Sequence, residues 1–156
     1  MATGSYRAVV HAGDIAEDFP VVTLESPALE AARILAEHRL PGVVVTDTAG
    51  RPHTVLPASQ VVRFIVPGYV QDDPSLAGVI DESTADRCAE RLGGKKVRDV
   101  LPDHLLDVPF VDAGDTIIEV AAMMARHRSP LLAVMKSGEL KGVITASRLL
   151  AAALGC

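Results

Sequence analysis

Apolar residues recur at helical spacing in two places along the chain, at Ala28, Ala31, Ala32 and Leu35 and again at Ile117, Val120, Ala121 and Met124. Each set is the stripe of a helix with one buried face. Each is followed by an apolar run without alternation, Gly42-Val43-Val44-Val45 and Leu131-Leu132-Ala133-Val134, which predicts a strand covered on both faces. Polar turns with glycine come next, Asp47 to Gly50 and Lys136 to Gly138, and then a second stretch, His53 to Leu56 and Leu140 to Ile144. That spacing predicts a hairpin in each half. Closing helices are predicted over Ala58 to Ile65 and Ala146 to Leu154. Opening strands are predicted over Phe19 to Leu24 and Val108 to Val111, each with a proline suited to an edge or a strand start. Both halves therefore read strand, helix, strand, strand, helix.

The predicted helix starts follow from local chemistry. Ser26 before Pro27 reads as an N-cap with proline at the first helical position, and Asp115 is the corresponding cap in the second half. The first helix is predicted to end near Arg39, before Pro41. Ser59 and Ser147 fall in matching places and read as caps of the closing helices, and Met123 and Met124 read as core filler.

The two halves are copies. Pro27 to Val62 returns as Thr116 to Leu150, and Ala36-Glu37-His38-Arg39-Leu40-Pro41 reappears 89 residues later as Ala125-Arg126-His127-Arg128-Ser129-Pro130. One gap in the following turn brings Gly50 onto Gly138, after which Ala58-Ser59 meets Ala146-Ser147 at a shift of 88. A unit of about 50 to 60 residues is too small to bury a good core alone. Two such units are expected to pack together, and the surface between related halves is a natural place for a ligand.

Composition narrows the field. The chain has 156 residues, 49% hydrophobic and 22% charged, with a formal net charge of −5 and five aromatic residues. That is a globular composition without the basic stripe or stacking platforms of a nucleic-acid binder. The apolar run Val61 to Val70 holds Arg63 and Pro67 and is far shorter than the roughly 20 residues of a membrane span. With no charged-then-apolar signal pattern at its start, the chain reads as cytoplasmic, without membrane insertion. Cys88 and Cys156 stand in no metal or redox spacing and read as free thiols. His11, His38, His53, His104 and His127 show no HxxH or HxxxH spacing, and no metal site is expected. Met1 to Ala12 reads as the start of a flexible tail. The longer connection from Pro67 to Lys96 reads as an ordered insertion, with helices over Pro74 to Ile80 and Thr84 to Leu92 ended by Gly93-Gly94.

This ordered set resembles a tandem pair of CBS domains, or Bateman module. In each copy an Asp-apolar entry leads to a capped amphipathic helix, a Val-rich buried strand and a glycine turn. The second copy closes on Gly142-Val143-Ile144-Thr145-Ala146-Ser147-Arg148-Leu149-Leu150. The resemblance implies an α/β (α+β) fold of two β-α-β-β-α repeats packed about a pseudo-twofold axis, with the helical insertion between them. The repeats would occupy 14–66 and 97–154, separated by 67–96. It also implies a disc-like homodimer and a regulatory sensor of AMP, ADP, ATP or S-adenosylmethionine, without catalysis of its own. In the family, a glycine and a Ser or Thr precede an Asp whose carboxylate accepts hydrogen bonds from both ribose hydroxyls, while the hydroxyl and helix N-terminus face phosphates.

The resemblance implies nucleotide-binding positions at Val108, Leu131, Gly142, Thr145, Arg148, Gln60 and His127. Two of them depart from the family pattern. Arg148 and Gln60 stand where the family has Asp, and Thr54 and Pro57 replace the glycine and hydroxyl in the first copy. A guanidinium is a donor only and cannot make the ribose grip. Arg148 reads either as an anion ligand beside Thr145 or as a solvated residue of a helix's first turn. Likewise His38-Arg39 and His127-Arg128 read either as charge for an anion or as cations at a helix C-terminus.

Function then reads as a stand-alone regulatory module controlling a separate enzyme or transporter, with an adaptor whose nucleotide sites have decayed as the alternative. No Gly-x-Ser-x-Gly, phosphate loop or carboxylate pair suggests an enzyme. The closing helices carry Val61, Val62, Phe64 and Ile65 in one and Leu149, Leu150 and Leu154 in the other. That exceeds what one small pair buries and points to a homodimer through these helices.

Overall fold

The computed structural model describes residues 9–66, 73, 75 and 90–155. The chain divides into two compact units, one formed by the described residues of Met1–Phe19 and Val108–Cys156, the other by those of Pro20–Asp107. Both units are mixed α and β, each with a three-stranded sheet. Both cysteines and most of the two helices predicted between Pro74 and Leu92 lie outside the described residues. Among the described residues no helix is long and apolar enough to cross a membrane.

In the second unit, β1 (Val22–Thr23), α1 (Ala28–Glu37), β2 (Gly42–Thr46), β3 (Pro52–Pro57) and α2 (Ala58–Ile65) follow the predicted order. Strand β2 is central, parallel to β1 and antiparallel to β3, and every residue of it is buried. The turn into β3 closes on Gly50 at φ 78°, a left-handed conformation that glycine adopts without steric cost. A four-residue helix, α3 (Val97–Val100), packs on the same unit. Its Val97 and Val100 are buried with Val22, Ala31 and Leu35.

The first unit repeats the plan with β4 (Phe110–Asp112), α4 (Ile117–His127), β5 (Leu131–Lys136), β6 (Glu139–Thr145) and α5 (Ala146–Leu154). Its four-residue helix comes from the other end of the chain, at Ala12–Ile15, and is called αN. Ala12 and Ile15 join Val111, Val120, Leu132, Val134 and Ile144 in the core. Ala12 thus lies in the core, where the sequence suggested a flexible tail. A helix of one turn shows no apolar period and leaves no such signal.

Each sequence copy therefore lends its opening segment to the other copy's unit, through matching backbone bonds. Val97 and Arg98 donate to Ser26 and Leu24 carbonyls at 2.8 and 3.1 Å, and Ala12 and Gly13 donate to Asp115 and Ala113 carbonyls at 2.7 and 2.9 Å. Pairs such as Ser26 and Asp115 are equivalent under the 89-residue shift.

Several predicted caps are corrected. The N-cap of α1 is Pro27, one residue beyond Ser26, whose hydroxyl instead accepts from Thr23 N–H at 2.9 Å. The Ala28 N–H finds the Lys95 carbonyl at 2.9 Å, so no side-chain cap is needed there. Thr116 caps α4 in a reciprocal box with Glu119, while Asp115 accepts from Asp112 N–H. Pro57 and Thr145, not Ser59 and Ser147, precede the closing helices. The apolar stripe of α1 buries Ile34 along with Ala28, Ala31 and Leu35 and leaves Ala32 half-buried. Met124 is buried and Met123 packs beside the core.

Candidate functional site

Strand β6 and helix α5 bring three of the sequence-predicted positions into one short stretch. Leu131 and Thr145 are partners across the β5–β6 ladder, Gly142 pairs with Val134, and Leu131 is fully buried. Thr145 caps α5: its Oγ1 accepts from Arg148 N–H at 3.3 Å and lies 3.3 Å from Ser147 Oγ. One N–H of the helix N-terminus is thereby satisfied within the chain.

Gly142 is required by close approach. A Cβ built there would meet the Glu17 carbonyl oxygen at 2.9 Å and Ala16 Cβ at 3.1 Å. The contact arises because Glu17 and Val143 exchange both backbone hydrogen bonds, at 2.8 and 2.9 Å. In the other unit the matching residue is Thr54, whose fully buried side chain donates to the Leu106 carbonyl at 2.6 Å.

The two positions where the resemblance implies Asp behave alike. Arg148 Nε donates to the Ile15 carbonyl at 3.2 Å and lies 3.9 Å from a Glu17 carboxylate oxygen. Gln60 Nε2 donates to the Val100 carbonyl at 2.9 Å. Both side chains are donors to the last carbonyl of a four-residue helix. The terminal amino groups of Arg148 have no partner among the described residues, and its side chain is 44% exposed.

The remaining positions lie apart from this group. Val108 is half-buried just before β4. His127 ends α4, exposed and without a hydrogen bond to Thr145 or Arg148. Arg39 and Arg128 follow the two long helices at φ 52° and 50°, and Leu40 and Ser129 donate back to Leu35 and Met124 carbonyls. These are matching left-handed helix ends. Gln60 belongs to the other unit, where it lines an open depression of about 350 Å³ with Arg63, Leu101, Pro102, Asp103 and His104. Of these lining residues the sequence pointed to Gln60 alone as a binding position; Arg63 lies on α2 with it, and Leu101 to His104 sit in a segment without periodicity. A depression of about 430 Å³ in the first unit is lined by His11, Asp14, Asp112, Lys136 and Lys141 among others, and by none of the predicted site residues. Among the described residues no group of three His, Cys, Asp or Glu side chains is placed to hold a metal ion.

Comparison with known proteins places this arrangement. The model of the CBS domain matches residues 12–67 and 97–155. A CBS domain-containing protein of unknown function from Kribbella flavida DSM 17836 is 58% identical, with a TM-score of 0.82 over 93% of this chain and 99% of that one. The CBS domain of a CBS domain-containing membrane protein from Sphaerobacter thermophilus is 21% identical, with a TM-score of 0.66 over 91% of this chain and 86% of that one. CBSX2, solved in complex with AMP, is 18% identical, with a TM-score of 0.62 over 94% of this chain and 97% of that one. No curated protein matches the chain. Two family matches falling on the two copies seen in the sequence, over a fold shared with these structures, make the chain a member of the CBS domain family, carrying two such domains in tandem.

Proposed function

We propose that this tandem CBS protein is a regulatory binding module that holds a ligand through its phosphate or another anionic group at Thr145 and Arg148, and acts on a separate enzyme or transporter. The observation that carries the reading is the half-exposed Arg148 guanidinium in the first turn of α5, whose amino groups have no partner among the described residues. Guanidinium donors beside a helix N-terminus suit an anion. The departure from Asp removes the ribose grip, so phosphate carries more of the recognition than it does where a carboxylate is present. CBSX2 with AMP supports an adenosine nucleotide as the ligand class, with ADP, ATP and S-adenosylmethionine as further candidates. The Sphaerobacter CBS domain is part of a membrane protein, which supports a membrane protein as the kind of protein such a module serves.

A second reading, a homodimeric adaptor without ligand, is favoured by matching exposed apolar residues. Val62 and its repeat equivalent Leu150 are 54% and 57% exposed, and Leu154 is 73% exposed. Thermal stability against AMP, ADP, ATP, S-adenosylmethionine and inorganic phosphate separates the two. Sensing requires a rise in Tm with at least one of these phosphate- or carboxylate-bearing ligands that adenosine, tested beside them, does not give. No shift with any of them at millimolar concentration would leave the adaptor reading.

A further inference from the structure

We infer that Arg148 and Gln60 are positioning residues that fasten the two exchanged opening segments as straps over the exposed edges of the sheets. The need for a fastener follows from the length of the strap helices. A four-residue helix closes a single main-chain turn, seen as Ala16 N–H to the Ala12 carbonyl at 3.0 Å and Leu101 N–H to the Val97 carbonyl at 3.2 Å. Its last carbonyls have no partner within the helix. Ile15 and Val100, whose carbonyls are the ones taken, are buried residues. An unpaired carbonyl there would oppose docking of the strap.

Both units solve this with the side chain at the same position of the closing helix, although the residues differ in charge and shape. Arg148 reaches Ile15 over a sequence separation of 133 residues, and Gln60 reaches Val100 over 40. What the two side chains share is an N–H donor of suitable reach. The strap matters because β6 is an edge strand, and an edge with free N–H and C=O groups is a template for unwanted pairing. Glu17 covers it at Val143. In the other unit the residue corresponding to Glu17 is Pro102, which lacks an N–H and cannot make that pair. There the Gln60 bond and the Thr54 bond to Leu106 carry the polar attachment of the later strap residues.

Amide hydrogen exchange on the full chain without added ligand tests the inference. Arg148→Ala is expected to speed exchange at the Glu17 amide by about tenfold or more, while the Val134 amide in the central strand changes by less than about threefold. Arg148→Gln, which installs the residue the other copy uses, is expected to keep Glu17 within about threefold of the parent. Equal acceleration at Glu17 and Val134, or no change at Glu17, would overturn the strap. Arg148→Gln behaving like Arg148→Ala would overturn the shared-donor account in favour of charge pairing with Glu17. Should Arg148→Ala not fold, Gln60→Ala puts the same question to the other unit, read at the Leu101 amide against Val44. Because no ligand is used, failure here is separate from failure of the sensing proposal.

Discussion

Gly142 faces Glu17 at a distance that leaves no room for a side chain: an added Cβ would stand 2.9 Å from the Glu17 carbonyl oxygen. The obstacle is main chain, held by two hydrogen bonds to Val143, so it cannot rotate away as a side-chain tip would. Gly142→Ala is therefore expected to push the segment off β6 and lower stability by about 1–3 kcal/mol. Urea denaturation of the full chain checks this. A loss below about 0.5 kcal/mol would mean that the strap shifts at little cost.

Arg39 and Arg128 occupy left-handed backbone at φ 52° and 50°, where the Cβ of an L-residue is crowded. Glycine adopts this conformation freely but loses more entropy on folding. The balance favours Arg39→Gly and Arg128→Gly by about 0.5–1 kcal/mol each, and the two sites are expected to add. Thermal unfolding of both single variants and the double variant checks this. Unchanged or lowered Tm in both singles would show that the arginine side chains make compensating contacts.

The repetition made the long elements legible: both closing helices fall at Ala58–Ile65 and Ala146–Leu154 as the apolar pattern required, and both hairpins form. The exchange of the opening segments was not legible, because a bond such as Arg148 to Ile15 spans nearly the whole chain and its acceptor is a backbone carbonyl, which has no residue signature. The sequence also misdirected the caps. Ser26 and Asp115 have the right chemistry, yet each accepts from a backbone donor outside the helix, at Thr23 and Asp112. At the candidate site the departure from the Asp that the resemblance implies was visible in Gln60 and Arg148. Their common use as donors to backbone carbonyls emerged only once αN and α3 were seen as helices of a single turn.

Thr54 offers a test of the other strap. Its side chain is fully buried and its hydroxyl donates to the Leu106 carbonyl at 2.6 Å. Thr54→Val keeps the shape and removes the donor. Leu106 is 50% exposed, so its carbonyl can be rehydrated, and the expected cost is about 1 kcal/mol, within the usual range for one neutral hydrogen bond. Chemical denaturation gives the size. A cost near zero would mean that water replaces the bond fully.

Val62 and Leu150 bear on the proposed homodimer. They are repeat equivalents on α2 and α5, each more than half exposed, while the neighbouring Val61 and Leu149 are buried, each 7% exposed. The sequence had counted all four as surplus apolar surface, and two of them belong to the core. The apolar residues that remain for a partner are fewer: Val62 on α2, with Phe64 and Ile65 half-buried, and Leu150 and Leu154 on α5. Val62→Glu combined with Leu150→Glu puts a good helix former at both positions and a charge on each exposed position. In sedimentation at micromolar concentration the parent is expected to be a dimer and the double variant a monomer. The variant's own fold is expected to be intact, because substitutions at exposed helix positions change intrinsic stability by about 0.5 kcal/mol or less. A monomeric parent would remove the homodimer, and a dimeric double variant would move its interface away from the closing helices.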